Sequence, residues 1–234
     1  FLALDAREDE RTGARQATVS LAHAVTLDDL RRAFPHAFTR VSAGVYDAEK
    51  DKVVGRVETR FFDLVVEASD DARLDDSAAA EAMAAAILPR LDELIARDER
   101  AAQLMARVKL AAEHVKPPEG REWPGAPWER FGEDLAGGLR GKRKLGEFSA
   151  ADFVRSLLAW PLDRVLEEMV PEKFEVPTGN RIRIDYTASP PVLAVRLQEV
   201  FGSTRTPAVA DGRVPLVLHL LSPGYKPVQV TQDL

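Results

Sequence analysis

The apolar pattern of this chain changes period in blocks, and that constrains its fold more than any single motif. In residues 16–23, Ala17, Val19, Leu21 and His23 alternate with Thr18, Ser20 and Ala22, the two-residue period of a half-buried strand. From residue 75 the spacing becomes helical. Met83, Ile87, Leu91, Leu94 and Ile95 form one face, and Leu104, Val108, Ala111 and Val115 form the next. After Val176 strand-like runs return, so the blocks predict an α+β chain.

The front, residues 1–74, reads as β-rich. Phe1 to Asp5 and Gln16 to His23 are predicted strands, and Thr26 is the N-cap of a short helix that Pro35 ends. Phe38–Asp47 and Lys52–Glu67 are predicted to pair around Ala48-Glu49-Lys50-Asp51. Along the second arm the apolar set sits on one face through Phe61 and on the other from Phe62 onward. A change of phase implies a bulge or sharp bend, because a one-residue slip inverts every side chain. Long bent strands with a short helix suit a small OB-like β-barrel, the fold expected for residues 1–74.

Residues 75–120 are expected to be a helical connector. Asp75, Asp76 and Ser77 supply its N-cap, Pro89 divides its first helix, and Lys116-Pro117-Pro118-Glu119-Gly120 ends it. Residues 121–234 form the expected C-terminal α+β domain. It opens with a short helix over 129–139 and a basic glycine-rich loop over 136–146. Helices follow from Ser149 and Pro161, then a strand to Tyr186, a helix over 191–201 and a hairpin whose first arm is Val214–Leu221.

Several chemistries are excluded by inspection. The chain has no Cys, hence no thiolate nucleophile and no Cys-based zinc site. Its four His residues are scattered and none pairs at i, i+4 across a carboxylate. Around Gly141-Lys142, Ala136 stands where a phosphate loop needs its first Gly, and Arg143 stands where it needs Ser or Thr. No apolar run reaches the roughly 18 residues of a membrane span, so no membrane partner is expected. Phe1 in place of Met, and an end straight after a strand-like run, give the expectation of a piece cut from a longer protein.

Net charge is −6, against a generic nucleic-acid coat. It is uneven: residues 137–234 carry 13 Lys and Arg against 11 Asp and Glu, hence +2, and residues 1–136 carry 19 against 27, hence −8. Single-strand binding calls for cations with stacking aromatics. Arg56 and Arg60, near Tyr46 and Phe62, form one candidate set. Lys142, Arg143, Lys144, Arg181, Arg183, Arg196, Tyr225 and Lys226 form the other. Arg196 and Glu199 are also spaced to pair at i, i+3.

Four stretches carry a resemblance: Arg181–Tyr186 (R-I-R-I-D-Y), Pro190–Gly202 (P-P-V-L-A-V-R-L-Q-E-V-F-G), Gly212–Pro223 (G-R-V-P-L-V-L-H-L-L-S-P) and Lys226–Leu234 (K-P-V-Q-V-T-Q-D-L). Together they resemble the C-terminal region of HrpB-type bacterial helicases, DEAH-box proteins of superfamily 2. The front resembles, more loosely, the family's segment after the helicase core. The resemblance implies a cytoplasmic parent that hydrolyses ATP with Mg in two RecA-like domains and acts on RNA. None of the ATPase motifs is present here, and the extension that normally follows V-T-Q-D-L is missing. The expected role is accessory, with no catalytic residue and no cofactor in this piece. It would contact single-stranded nucleic acid, the helicase core of the same chain, or both. The alternative is a protein-docking or regulatory module that binds no RNA, and a weaker one is an unrelated small-molecule enzyme.

Overall fold

The computed structural model describes residues 2–9, 16–70, 73–203 and 205–232. The alternating run at 16–23 forms strand β2 (Gln16–His23), antiparallel to β1 (Leu2–Asp9). Phe1 lies outside the described residues. Thr26 caps α1 (Leu27–Ala33): its hydroxyl accepts from the Asp29 N–H, and the Asp29 carboxylate accepts from the Thr26 N–H. This reciprocal box satisfies two of the donors a helix start leaves open.

Strand β3 (Phe38–Asp47) pairs with β4 (Lys52–Phe61) in unbroken register from Phe38↔Phe61 to Asp47↔Lys52, and β4 pairs in turn with β5 (Leu64–Ser69). The phase change at Phe62 is therefore a reversal of the chain, not a bend within one strand. Phe62 takes φ 50°, and the two residues Phe62 and Asp63 turn β4 back on itself as β5. The expected OB-like barrel is not what forms. The described front strands make a two-stranded and a separate three-stranded sheet, and no ladder joins the two. Without one long bent strand to serve two sheets, nothing closes the barrel.

Helix α2 (Asp76–Ile87) starts where Asp75 accepts from the Ala78 N–H at 2.7 Å. It lies against β3 at Gly44, where an added Cβ would sit 2.7 Å from the Ala82 Cβ and 2.8 Å from the Ala78 carbonyl oxygen. Pro89 falls in a single 3-10 turn that separates α2 from α3 (Leu91–Arg97). Asp98 caps α4 (Glu99–His114) through the Arg100 and Ala101 N–H groups. Trp123 and Trp128 anchor the Pro/Gly-rich turn beyond α4: their indole N–H groups donate to the Val115 carbonyl and to the Asp92 carboxylate.

Helix α5 (Gly132–Leu139) lies against α2 and takes in the first residues of the predicted basic loop, which begins only at Arg140. Ser149 caps α6 (Ala150–Leu157), and Pro161 precedes α7 (Leu162–Met169). Both pack on α4. Buried Arg107 of α4 ties α7 down: it donates to the Val170 carbonyl at 2.8 Å and pairs with Glu167 at 2.7 Å.

The last block is a five-stranded sheet of order β12-β11-β8-β7-β6. Its strands are β6 (Lys173–Glu175), β7 (Arg181–Asp185), β8 (Val192–Arg196), β11 (Val217–Leu221) and β12 (Pro227–Thr231), with a short ladder of β9 (Ala208–Val209) and β10 (Val214–Pro215) in the β8–β11 crossover. β8 and β11 run parallel and the other pairs are antiparallel. The helix expected over 191–201 is thus a strand followed by one 3-10 turn at Leu197–Val200. The reason lies in its side chains: Leu193 and Val195 point inward with Ala194 outward, and branched Val192 and Val195 suit a pleated surface. One hydrophobic core runs from Val53 through the helices to Leu220 and takes its fully enclosed members from both blocks, including Met83, Leu91, Val108, Leu193 and Leu218.

Candidate nucleic-acid interface

At one end of the five-stranded sheet three turns converge on a buried carboxylate. Glu199, in the 3-10 turn after β8, is only 5% exposed. It accepts from the Thr178 hydroxyl, from the Asn180 amide at 2.9 and 3.1 Å, and from the Arg196 guanidinium. Thr178 and Asn180 belong to the β6–β7 turn. Donors on both oxygens favour the ionised form, so the hydrogen bonds from Thr178, Asn180 and Arg196 pull its pKa down to about 2.

Arg196 also lies under an aromatic ring, with its guanidinium carbon 5.5 Å from the Tyr225 ring centroid. Tyr225 sits in the β11–β12 turn at φ 60° and is 67% exposed. That turn is tied at three points. Ser222 N–H donates to the Lys226 carbonyl, Tyr225 N–H donates to the Ser222 carbonyl, and Lys226 N–H donates to the Ser222 hydroxyl. Lys226 follows Tyr225 and Arg181 follows Asn180, and neither makes an ion pair among the described residues. Arg196 thus joins Glu199 to Tyr225, while Arg181 opens β7 and Lys226 shares the β11–β12 turn with Tyr225.

The remaining candidates stand elsewhere. Arg183 of β7 reaches Glu99 at 3.3 Å and Glu172 at 3.9 Å, next to the start of α4. Arg56 pairs with Asp70, and Arg60 with Glu58 on its own strand. Arg143 bonds Asp76 at 2.6 Å, its carbonyl accepts from Val53 N–H, and the Arg143 and Lys144 N–H groups both donate to Glu147. This basic loop is therefore fastened to the start of β4 and the start of α2. Lys142 and Lys144 make no ion pair among the described residues. The residue that sequence reasoning undervalued is Glu199, read there only as a partner of Arg196. The available signal was the turn V-P-T-G-N, which places two short polar side chains where a turn can aim them inward.

Among the described residues no group of three or more His, Cys, Asp or Glu could hold a metal ion, and no helix is long and apolar enough to cross a membrane. What the site presents is a ring, unpaired cations and a locked carboxylate.

Comparison with known proteins agrees with this reading of the fold. Residues 133–234 match the family model described as ATP-dependent helicase C-terminal. Among curated proteins, the ATP-dependent RNA helicase HrpB of Escherichia coli strain K12 is 48% identical over 97 residues, which are 41% of this chain and 12% of that protein. Two solved structures share the fold with a TM-score of 0.66. A crystal structure of E. coli DExH-box NTPase HrpB is 31% identical and covers 93% of this chain, and one of the Escherichia coli DEAH/RHA helicase HrpB is 30% identical and covers 86%. The chain spans only 28% and 26% of those two chains. It is similar to the C-terminal region of HrpB-type ATP-dependent helicases, in sequence over residues 133–234 and in fold over nearly its whole length.

Proposed function

We propose that this chain is the accessory C-terminal part of an ATP-dependent RNA helicase and that it grips single-stranded nucleic acid with the end of its five-stranded sheet. The observation that carries this is the exposed Tyr225 ring beside Arg196, with Lys226 in the same turn and Arg181 at the start of β7, both without an ion pair among the described residues. Exposed aromatic rings and unpaired cations are the two things a single strand needs, one for its bases and one for its phosphates. On this reading ATP and Mg belong to the RecA-like core of a longer cytoplasmic protein, and this chain supplies neither nucleophile nor phosphate loop. The likeness to HrpB structures of more than three times its length supports a position beside such a core.

The paired state of Arg56, Arg60 and Arg143 favours structural duty for those three, so the sheet end is the primary contact. A docking role without RNA is the second reading. It is favoured by the exposed apolar side chains of the front, where Phe34, Phe62, Leu64 and Val65 stand in solvent. The test is binding of a fluorescent single-stranded RNA to the purified chain as salt rises. Affinity that falls steeply with salt supports the grip, because phosphate contacts release counterions. Binding that is absent, or insensitive to salt, removes it in favour of docking.

A further inference from the structure

Tyr225 stands at φ 60°, in the left-handed region where a bulky side chain is an outlier and glycine would be unstrained. Gly224 immediately precedes it, so the turn already contains a residue suited to such a conformation, yet the strained position holds a tyrosine. Three hydrogen bonds through Ser222 and Lys226 hold the turn in that shape. Strained backbone persists where its surroundings over-determine it, and it concentrates at binding sites. In this turn the ring is largely in water and 5.5 Å from the Arg196 guanidinium carbon.

Arg196 does not have the setting of a phosphate ligand. One of its guanidinium nitrogens is committed to Glu199, a carboxylate that is itself nearly enclosed and also bonded by Thr178 and Asn180. Glu199 is held by Thr178 and Asn180 of the β6–β7 turn, and the Arg196 guanidinium carbon is 5.5 Å from the Tyr225 ring centroid. A cation fixed in this way orients the aromatic ring above it. At this end of the sheet, the candidate cations without an ion pair among the described residues are Lys226 and Arg181. Glu175 lies opposite Arg181 in the β6–β7 register, but makes no ion pair with it.

We propose that Tyr225 stacks on a base of the bound single strand, and that Glu199 is its positioning residue, acting through Arg196. The proposal rests on the nucleic-acid reading above and divides that site into a stacking platform, a support beneath it and separate phosphate contacts. Because every base has a π-face, such a platform takes single strands with little regard to sequence.

The test uses a short oligouridylate RNA containing 5-iodouridine, and measures affinity across a salt series and photocross-linking yield at saturating RNA. Tyr225→Ala should weaken binding about 5- to 160-fold while leaving the salt dependence unchanged, and Tyr225→Phe and Tyr225→Trp should restore affinity. The cross-link should map to Tyr225. Glu199→Gln should lower the cross-link yield at Tyr225 at saturating RNA; because it also releases the Arg196 guanidinium, the yield is the readout for this variant. If Glu199→Gln does not fold by circular dichroism, Thr178→Val, which deletes one of the donors to Glu199, should show the same direction on a smaller scale. Tyr225→Ala that binds like wild type, or that loses salt dependence as a phosphate ligand would, overturns the stacking role. Full cross-linking in folded Glu199→Gln, or in Thr178→Val, overturns the positioning role. A wild-type chain that binds no RNA takes both the nucleic-acid reading and this inference down. Wild-type binding that responds only to changes at Arg181 and Lys226 takes down this inference alone.

Discussion

Gly44 is where the front sheet meets the helical block, and replacing it with alanine measures how firmly the two are joined. An added methyl would lie 2.7 Å from the Ala82 Cβ, 2.8 Å from the Ala78 carbonyl oxygen and 3.4 Å from a Leu74 methyl. Two of these are rigid parts of α2, so the contact can relax only if β3 and the helix separate. Overpacking of this kind costs about 1–3 kcal/mol. Alanine recovers about 0.5–1 kcal/mol through the lower entropy of its unfolded chain. The expected net loss for Gly44→Ala is about 0–2.5 kcal/mol, with a midpoint of about 1 kcal/mol, or roughly 2–4 °C in Tm at about 2–4 °C per kcal/mol for a chain of this size. Differential scanning calorimetry and urea titration would read it. Ala82→Gly alone should cost about 1 kcal/mol, the usual loss for glycine inside a helix. In the double variant it removes the nearest clash, so the two losses should fall short of additive by at least about 0.5 kcal/mol. Strict additivity of Gly44→Ala with Ala82→Gly would refute the close seating of β3 on α2.

Three further outcomes follow from particular contacts. Glu199 has its pKa lowered from 4.5 to about 2 in the fold, so its contribution to stability is complete above pH 4.5 and disappears as pH falls toward 2; an acid titration of Tm should show a loss in that window that Glu199→Gln lacks. Arg107→Met leaves the Val170 carbonyl without its donor, and Glu167 is half in solvent, so a loss of about 1–3 kcal/mol in urea denaturation is expected; an unchanged midpoint would show that Arg107 does not tie α4 to α7. Trp128→Phe keeps most of the ring but deletes the N–H that meets Asp92 at 2.8 Å, and should cost about 1–2 kcal/mol by the same assay.

The helices were legible because their signals are local. Thr26, Asp75, Asp98 and Ser149 each accept the N–H that an N-cap should, and Pro89 falls where one helix gives way to the next. The strands were legible as strands where alternation was clean, as in residues 16–23. How strands turn and assemble was less so. Phe62 in a left-handed turn has no composition signal, because Gly or Asn is the usual occupant, and the reversal there read as a bend. That error carried the barrel with it. Residues 191–201 misread as a helix because V-L-A-V-R-L-Q-E-V contains both an apolar alternation and a helical spacing, and its parallel pairing with β11 decides between them. In the site, Arg196 and Tyr225 were legible as residue types, but their meeting was not. They are neighbours only because β8 lies beside β11, a pairing that spans a crossover of about 20 residues.

The salt dependence of RNA binding decides whether the sheet end holds phosphates. Each phosphate contact to a single strand contributes about 0.7 to the slope of log K against log salt. If Arg181 and Lys226 hold phosphates at the sheet end, the double variant Arg181→Gln/Lys226→Gln should lower the magnitude of the slope by about 1.4, and Arg56→Gln/Arg60→Gln should leave it unchanged. A double variant at Arg181 and Lys226 with the wild-type slope would contradict the account.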